Sequence, residues 1–243
     1  MIKIFIDPGH NYSGWDTGAN GKNAREQDIT FQVAYRLRDI LRTNYIEVKM
    51  SRNNLEDNLG SSVNSSLKAR VDSANQWGAD YFVSLHCNSY TTEAAKGTET
   101  LIISKGGKAE QLAYSINRNI VEQLGMYDRG VKEQNLYVLR NTNMPAVLVE
   151  MGFITNETDE WKLMNQQQEF ANAIADGILG YLGIQKQDTA DNEIVTVEYQ
   201  GKQITGYLYN DTTYVKVRQI AALLDKNVEW IGNENKVILT DEN

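Results

Sequence analysis

The chain has two histidines in 243 residues, and each one closes an apolar run: His10 ends KIFIDPGH and His86 ends DYFVSLH. Histidine is the side chain most often used as a metal ligand or proton carrier near neutral pH. Two carboxylates take comparable places. Glu150 ends the run AVLVE, and Glu26 opens a stretch in which Ile29, Val33 and Leu37 recur at helical spacing, so that Glu26 falls on the core-facing stripe. Two imidazoles and one carboxylate form a standard ligand set for a catalytic zinc, with the fourth position left to water. A second carboxylate nearby could act as general base toward that water. Zinc lowers the pKa of bound water toward ~7 and polarises a carbonyl. Together these groups suit amide hydrolysis without a covalent intermediate.

Each residue also has a simpler reading. A histidine after Pro-Gly can merely cap a loop, and a first-turn Glu26 can merely complement a helix dipole. Glu150 at the end of a buried strand is harder to explain structurally, because an unpaired interior carboxylate is costly. Asp7 and Asp16 stand as alternative ligands, or as partners that orient a ligating histidine. Cys87 follows His86, so strand alternation sends it to the opposite face as a packed thiol.

Elements that could hold these residues alternate along the chain. Residues 2–6, 46–50, 81–85, 98–104, 136–140 and 146–153 read as strands, several of them continuously apolar as expected of buried strands. Helical periodicity marks 26–42, 67–77 (closed by Gly78), 109–124 and 161–182, with TNETDE read as a turn before the last. The alternation predicts an α/β domain, a mostly parallel sheet with helices on both faces, over residues 1–183. Ligands in such a sheet lie beyond the carboxyl ends of the strands. A polar stretch, 184–193, reads as a linker. Residues 194–243 then read as a small β-rich α+β module: a hairpin at Gln200-Gly201-Lys202, a short helix over 215–226, and a hairpin around 232–235. It carries no histidine, cysteine or carboxylate cluster.

Bulk composition narrows the partners. Net charge is −8 with no basic run, which disfavours nucleic acid. A single cysteine excludes an intrachain disulfide framework. No apolar stretch approaches the ~18 residues that span a bilayer, so no membrane insertion is expected. Met1 leads directly into a strand without the regions of a signal peptide, so the expected location is the cytoplasm, or outside if the sequence is a mature fragment.

The series IDPGH, the acidic residue of AREQDIT, SLHCNS and VLVEMGFITN resembles the zinc-dependent N-acetylmuramoyl-L-alanine amidases of bacterial cell walls. The Asp16-x-Gly18 loop, Ser51-Arg52, the helix LKARVDSAN with Arg70, and RGVKEQNLYVLR extend the likeness over residues 2–182. The resemblance implies that His10, Glu26 and His86 bind zinc and that Glu150 is the catalytic carboxylate. It implies cleavage of the amide between the lactyl group of muramic acid and L-alanine of the stem peptide, with peptidoglycan as partner. Asn88 and Arg70 are expected to contact substrate. Two sequences depart from the family pattern: NYSGWDTGANG after His10, and the long polar stretch SRNNLEDNLGSSVNSSL. The C-terminal module resembles the small domain found at the N-terminus of copper amine oxidases. It has no copper ligand set, which leaves wall attachment or homodimerisation as its expected role. Without a leader, the resemblance implies a phage endolysin held in the host cytoplasm until lysis. Two other readings are a zinc peptidase cutting within the stem peptide and a non-catalytic wall-binding protein on the same fold.

Overall fold

The computed structural model describes residues 1–186, 193–209, 212–215, 217–231 and 236–241. Two compact units divide it, Met1–Lys186 and Gln187–Asn243.

In the first unit, β1 (Lys3–Pro8), β2 (Glu47–Met50), β3 (Tyr81–Asn88), β4 (Thr98–Ile102), β5 (Asp128–Glu133) and β6 (Ala146–Phe153) form one sheet in the order β2-β1-β3-β6-β4-β5. All neighbours are parallel except β4 and β6. The apolar runs are continuous because both faces are covered. Ile4, Ile6, Val83, Leu85, Cys87, Val147, Val149 and Met151 face one core, shared with α1 (Glu26–Thr43), α3 (Lys108–Leu124) and α6 (Gln167–Leu182). The alternate residues Phe5, Phe82, Leu101, Ala146 and Leu148 face a second core with α2 (Val63–Trp77) and α4 (Tyr137–Asn141). The expected α/β architecture, with helices on both faces, is therefore present.

Some elements differ from expectation. Residues 136–140 do not form a strand: Tyr137–Asn141 are one helical turn, with Asn141 Nδ2 and Thr142 Oγ1 donating to the carbonyls of Tyr137 and Val138. A short apolar run has no period long enough to separate the two. The strand in this region is β5, polar apart from buried Val131 and at the edge of the sheet. The expected helix 161–182 is two: α5 (Glu157–Asn165), capped where Asn156 accepts from the Asp159 N–H, and α6, separated at Gln166. TNETDE therefore opens a helix. Helix α2 starts four residues early because Ser62 and Ser65 form a capping box, and ends at left-handed Gly78 (φ 67°) as expected.

The domain boundary falls slightly later than expected. Ile184 packs on the first core and Lys186 pairs with Asp176, whereas 187–192 of the anticipated linker lie outside the described residues. In the second unit, β7 (Glu193–Tyr199), β8 (Lys202–Tyr209) and β9 (Thr212–Val215) form an antiparallel sheet, followed by α7 (Val217–Leu223) and the antiparallel pair β10 (Lys226–Ile231) and β11 (Lys236–Asp241). Gln200 and Gly201, both at positive φ (50° and 78°), make the two-residue turn between β7 and β8. Strand β9 was not anticipated, and the turn at 232–235 lies outside the described residues.

Candidate functional site

Strand register assembles the site before any side chain is considered. His86 and Glu150 are direct neighbours on β3 and β6, and Glu99 stands opposite Glu150 across the antiparallel pair. By alternation His86, Glu99 and Glu150 share the α2/α4 face of the sheet. Glu26 comes from the N-terminus of α1 and reaches the same carboxyl edge.

Glu26 is 3% exposed, and every one of its carboxylate contacts is directed. Its Oε2 accepts the Ala19 N–H at 2.8 Å while its own N–H donates to the Ala19 carbonyl. Its Oε1 lies 3.1 Å from His10 Nε2 and 2.9 Å from His86 Nδ1, and accepts the Cys87 N–H at 3.0 Å. Ligand atoms of His10, Glu26 and His86 all lie within 4.8 Å of one another. Asp7 and Asp16, the alternatives the sequence left open, stand behind this trio. Asp16 Oδ1 is 3.2 Å from His10 Nδ1, and its Oδ2 accepts from Ser66 Oγ at 2.6 Å. That is the carboxylate–histidine arrangement that fixes the tautomer of a ligating imidazole. Cys87 is buried on the opposite face, as alternation required.

The backbone is shaped around the trio. His10 is left-handed (φ 65°), an uncommon conformation that costs of order 1–3 kcal/mol in a non-glycine residue. Its loop is held from several sides. The Asn11 N–H donates to the Asp16 carbonyl, Gly9 N–H to Leu85, and the guanidinium of fully buried Arg52 to the carbonyls of Gly9, Leu55 and Gln27. At Gly18 a Cβ would sit 2.7 Å from Glu26 Oε2 and 2.8 Å from His10 Cδ2. Only glycine leaves that space free.

Charge follows from the geometry. Burial alone would lower the His10 imidazole, but its bonds to Asp16 and Glu26 win and raise it to about 9. Burial would raise Glu26, yet His10 and His86 hold it well below the ordinary carboxylate range. Glu150 goes the other way: burial, then the negative charges of Glu26 and Glu99, lift it to about 8. Its Oε2 is buried without a hydrogen-bond partner among the described residues.

Asn88 and Arg70 have structural partners. Asn88 Nδ2 donates to Glu99 Oε1 at 3.1 Å, and Glu99 accepts in turn from Arg129 and Lys132 at 2.6 and 2.5 Å. Arg70, 1% exposed, donates to Asp7 Oδ1, to the carbonyls of Pro8 and His10, and to Asn11 Oδ1. Its donors hold the IDPGH loop, and its side chain also lines the cavity beside His10 and His86. Sequence reasoning missed Glu99, because nothing local reveals that β4 runs antiparallel beside Glu150.

The donor set suits zinc: two imidazole nitrogens and one carboxylate oxygen converge, the outer atoms of His10 and Glu26 are hydrogen-bonded, and the half-buried Glu150 stands beside them with a buried oxygen that has no partner among the described residues.

Comparison with known proteins gives the same direction. A family model described as N-acetylmuramoyl-L-alanine amidase matches residues 4–180. A sporulation-specific N-acetylmuramoyl-L-alanine amidase of Bacillus subtilis (strain 168) is 34% identical over 99% of this chain and 86% of its own length. The endolysin of Bacillus phage SPP1 is 35% identical over 72% of this chain and 62% of its own. Among solved structures, the catalytic domain of CwlV, an N-acetylmuramoyl-L-alanine amidase from Bacillus (Paenibacillus) polymyxa var. colistinus, is 33% identical, with 76% of this chain and all of that one covered at a TM-score of 0.68. By sequence and by fold, the chain belongs to the N-acetylmuramoyl-L-alanine amidase family of peptidoglycan hydrolases.

Proposed function

We propose that the chain hydrolyses the amide between the lactyl group of N-acetylmuramic acid and L-alanine of the stem peptide at a zinc centre held by His10, Glu26 and His86. The observation that carries this reading is the convergence of those three donors beside Glu150, a half-buried carboxylate whose buried Oε2 has no hydrogen-bond partner among the described residues. Zinc bound there supplies a Lewis acid for the scissile carbonyl and a water acidified toward ~7.

The protein's own groups do the rest. Asp16 holds the His10 ring, so that Nε2 points inward. Glu26, once its charge is engaged by a cation, no longer raises the Glu150 carboxyl. Glu150 then takes a proton from the attacking water at its free Oε2 and returns it to the leaving amine of L-alanine. The proton lost by water and the proton gained by nitrogen are the same, so the cycle closes with Glu150 restored.

Metal analysis and product analysis test this together. Purified protein should carry close to one zinc, lost in His86→Ala. Digested walls should gain alanine amino termini while glycan strands stay intact. Glu150→Gln should keep zinc and fold yet lose hydrolysis by roughly 10²–10⁴-fold. New termini elsewhere in the peptide would favour the peptidase reading, and binding without any cleavage the non-catalytic one.

For the C-terminal unit we propose wall attachment or homodimerisation. Co-sedimentation of the full chain with purified walls and its mass by light scattering separate the two. The endolysin setting is supported by the SPP1 relative. A second setting, as an enzyme of the bacterium itself, is favoured by the sporulation-specific relative, whose likeness runs through both units.

A further inference from the structure

A cavity of about 220 Å³ opens against the site, and its walls are of two kinds. One side is polar, with Asp7, His10, Asp16, Arg70, His86 and Glu150. The other is aliphatic and aromatic: Leu67 from α2, Leu136, Tyr137 and Val138 from the turn at α4, and Leu148 from β6. Nothing in the proposed proton transfer uses this second wall. Leu67, Leu136 and Tyr137 are only partly buried: they pack against the second core and also line the cavity. Binding sites of this composition take ligands that are apolar next to the group their polar residues orient.

The wall's position decides what it meets. Leu148 and Glu150 are two residues apart on β6, so both point to the same side of the sheet. An amide presented to the His10–Glu26–His86 corner from this cavity has Leu148, Leu136 and Tyr137 among the residues lining the space for its flanking atoms. The cavity is open to solvent on one side and large enough to take an amide with the carbon substituents on either side of it.

We infer that the Leu67–Leu136–Tyr137–Val138–Leu148 wall recognises a methyl group on a carbon flanking the scissile amide, making these residues determinants of substrate specificity. The inference rests on the proposed amidase reaction, whose amide has such a methyl on each side, one from the lactyl ether and one from L-alanine.

Three small soluble substrates test it on the full-length protein: a muramoyl-L-alanyl peptide, its nor-muramoyl analogue with glycolyl in place of lactyl, and its glycine analogue in place of L-alanine. One methyl in an apolar pocket changes kcat/KM by roughly 10-fold or more. At least one analogue should lose that much with the wild-type protein, and which one does tells whether the lactyl or the alanyl side lies on the wall. In Leu136→Ala the same comparison should fall to within about 3-fold. Both analogues cleaved within 2-fold of the parent by the wild type would overturn the inference, as would full discrimination persisting in folded Leu136→Ala. The wild-type comparison decides even if that variant does not fold. Failure to cleave the parent substrate would instead count against the amidase reading.

Discussion

Arg70 offers a test in which structural and substrate-binding roles predict opposite results. Its guanidinium donates to Asp7 Oδ1 at 2.7 Å, and both side chains are almost fully buried. Removing one partner of a buried pair leaves an uncompensated charge and typically costs ~3–5 kcal/mol. Arg70→Ala also strips donors from the Pro8 and His10 carbonyls. In a unit of this size each kcal/mol moves Tm by about 2–4 °C, so a fall of about 6–20 °C is expected. Acid should shrink the effect. Burial would raise Asp7, but Arg70 and Ser51 outweigh it and hold its carboxyl below the ordinary value. A depressed carboxyl stabilises the fold above its unfolded pKa of ~3.9, and that contribution is lost as pH falls through the folded value. The gap between wild type and Arg70→Ala should therefore be fully open at neutral pH and close as Asp7 protonates. In a double-mutant cycle, Asp7→Asn should recover part of the loss, because it removes the orphaned charge. Calorimetry or urea unfolding at several pH values reads all of this. If Arg70→Ala melts within 2 °C of wild type and instead raises KM, Arg70 binds substrate and the structural assignment is wrong.

Three further outcomes follow from the same geometry. Gly18→Ala should weaken zinc binding about 10–100-fold, since the new methyl meets both Glu26 and His10; a competing chromogenic chelator measures this, and unchanged affinity would count against the cradle. Because the zinc-free His10 is raised to about 9, it is protonated at neutral pH, so zinc must displace that proton. Apparent affinity should then rise about 10-fold per pH unit below 9, with close to one proton released per zinc, and calorimetry in buffers of different ionisation enthalpy should detect it; a flat profile would refute the coupling. Ser62→Ala, which removes the α2 cap, should cost ~1 kcal/mol and lower Tm by about 2–4 °C without altering activity on small substrates.

The convergence of His10, Glu26 and His86 was legible because each residue sits where a periodicity ends or begins. Glu26 lies on the apolar stripe of a strongly periodic helix, and His10, His86 and Glu150 close strands whose apolar runs are unmistakable. What stayed hidden depends on contacts far apart in sequence. Glu99 matters because β4 turns antiparallel beside β6, a pairing that no local pattern specifies. Arg70 is expected to contact substrate only through the family resemblance, and its buried ion pair with Asp7 is a tertiary contact that no local pattern reveals. The turn at 137–141 was misjudged for want of length, and with it the apolar wall of the cavity. Element ends moved where side chains intervene, as Ser62 and Asn156 do.

Cys87 has a practical consequence. It is the chain's single cysteine, its thiol is buried and pushed well above its ordinary pKa, and its side chain lies on the opposite face of the sheet from His86 and Glu150. A thiol so protonated and shielded reacts sluggishly with oxidants and alkylating reagents. The enzyme therefore needs no reducing agent to stay intact in aerated media. A cysteine placed anywhere on its surface can also be labelled selectively without first removing the native one.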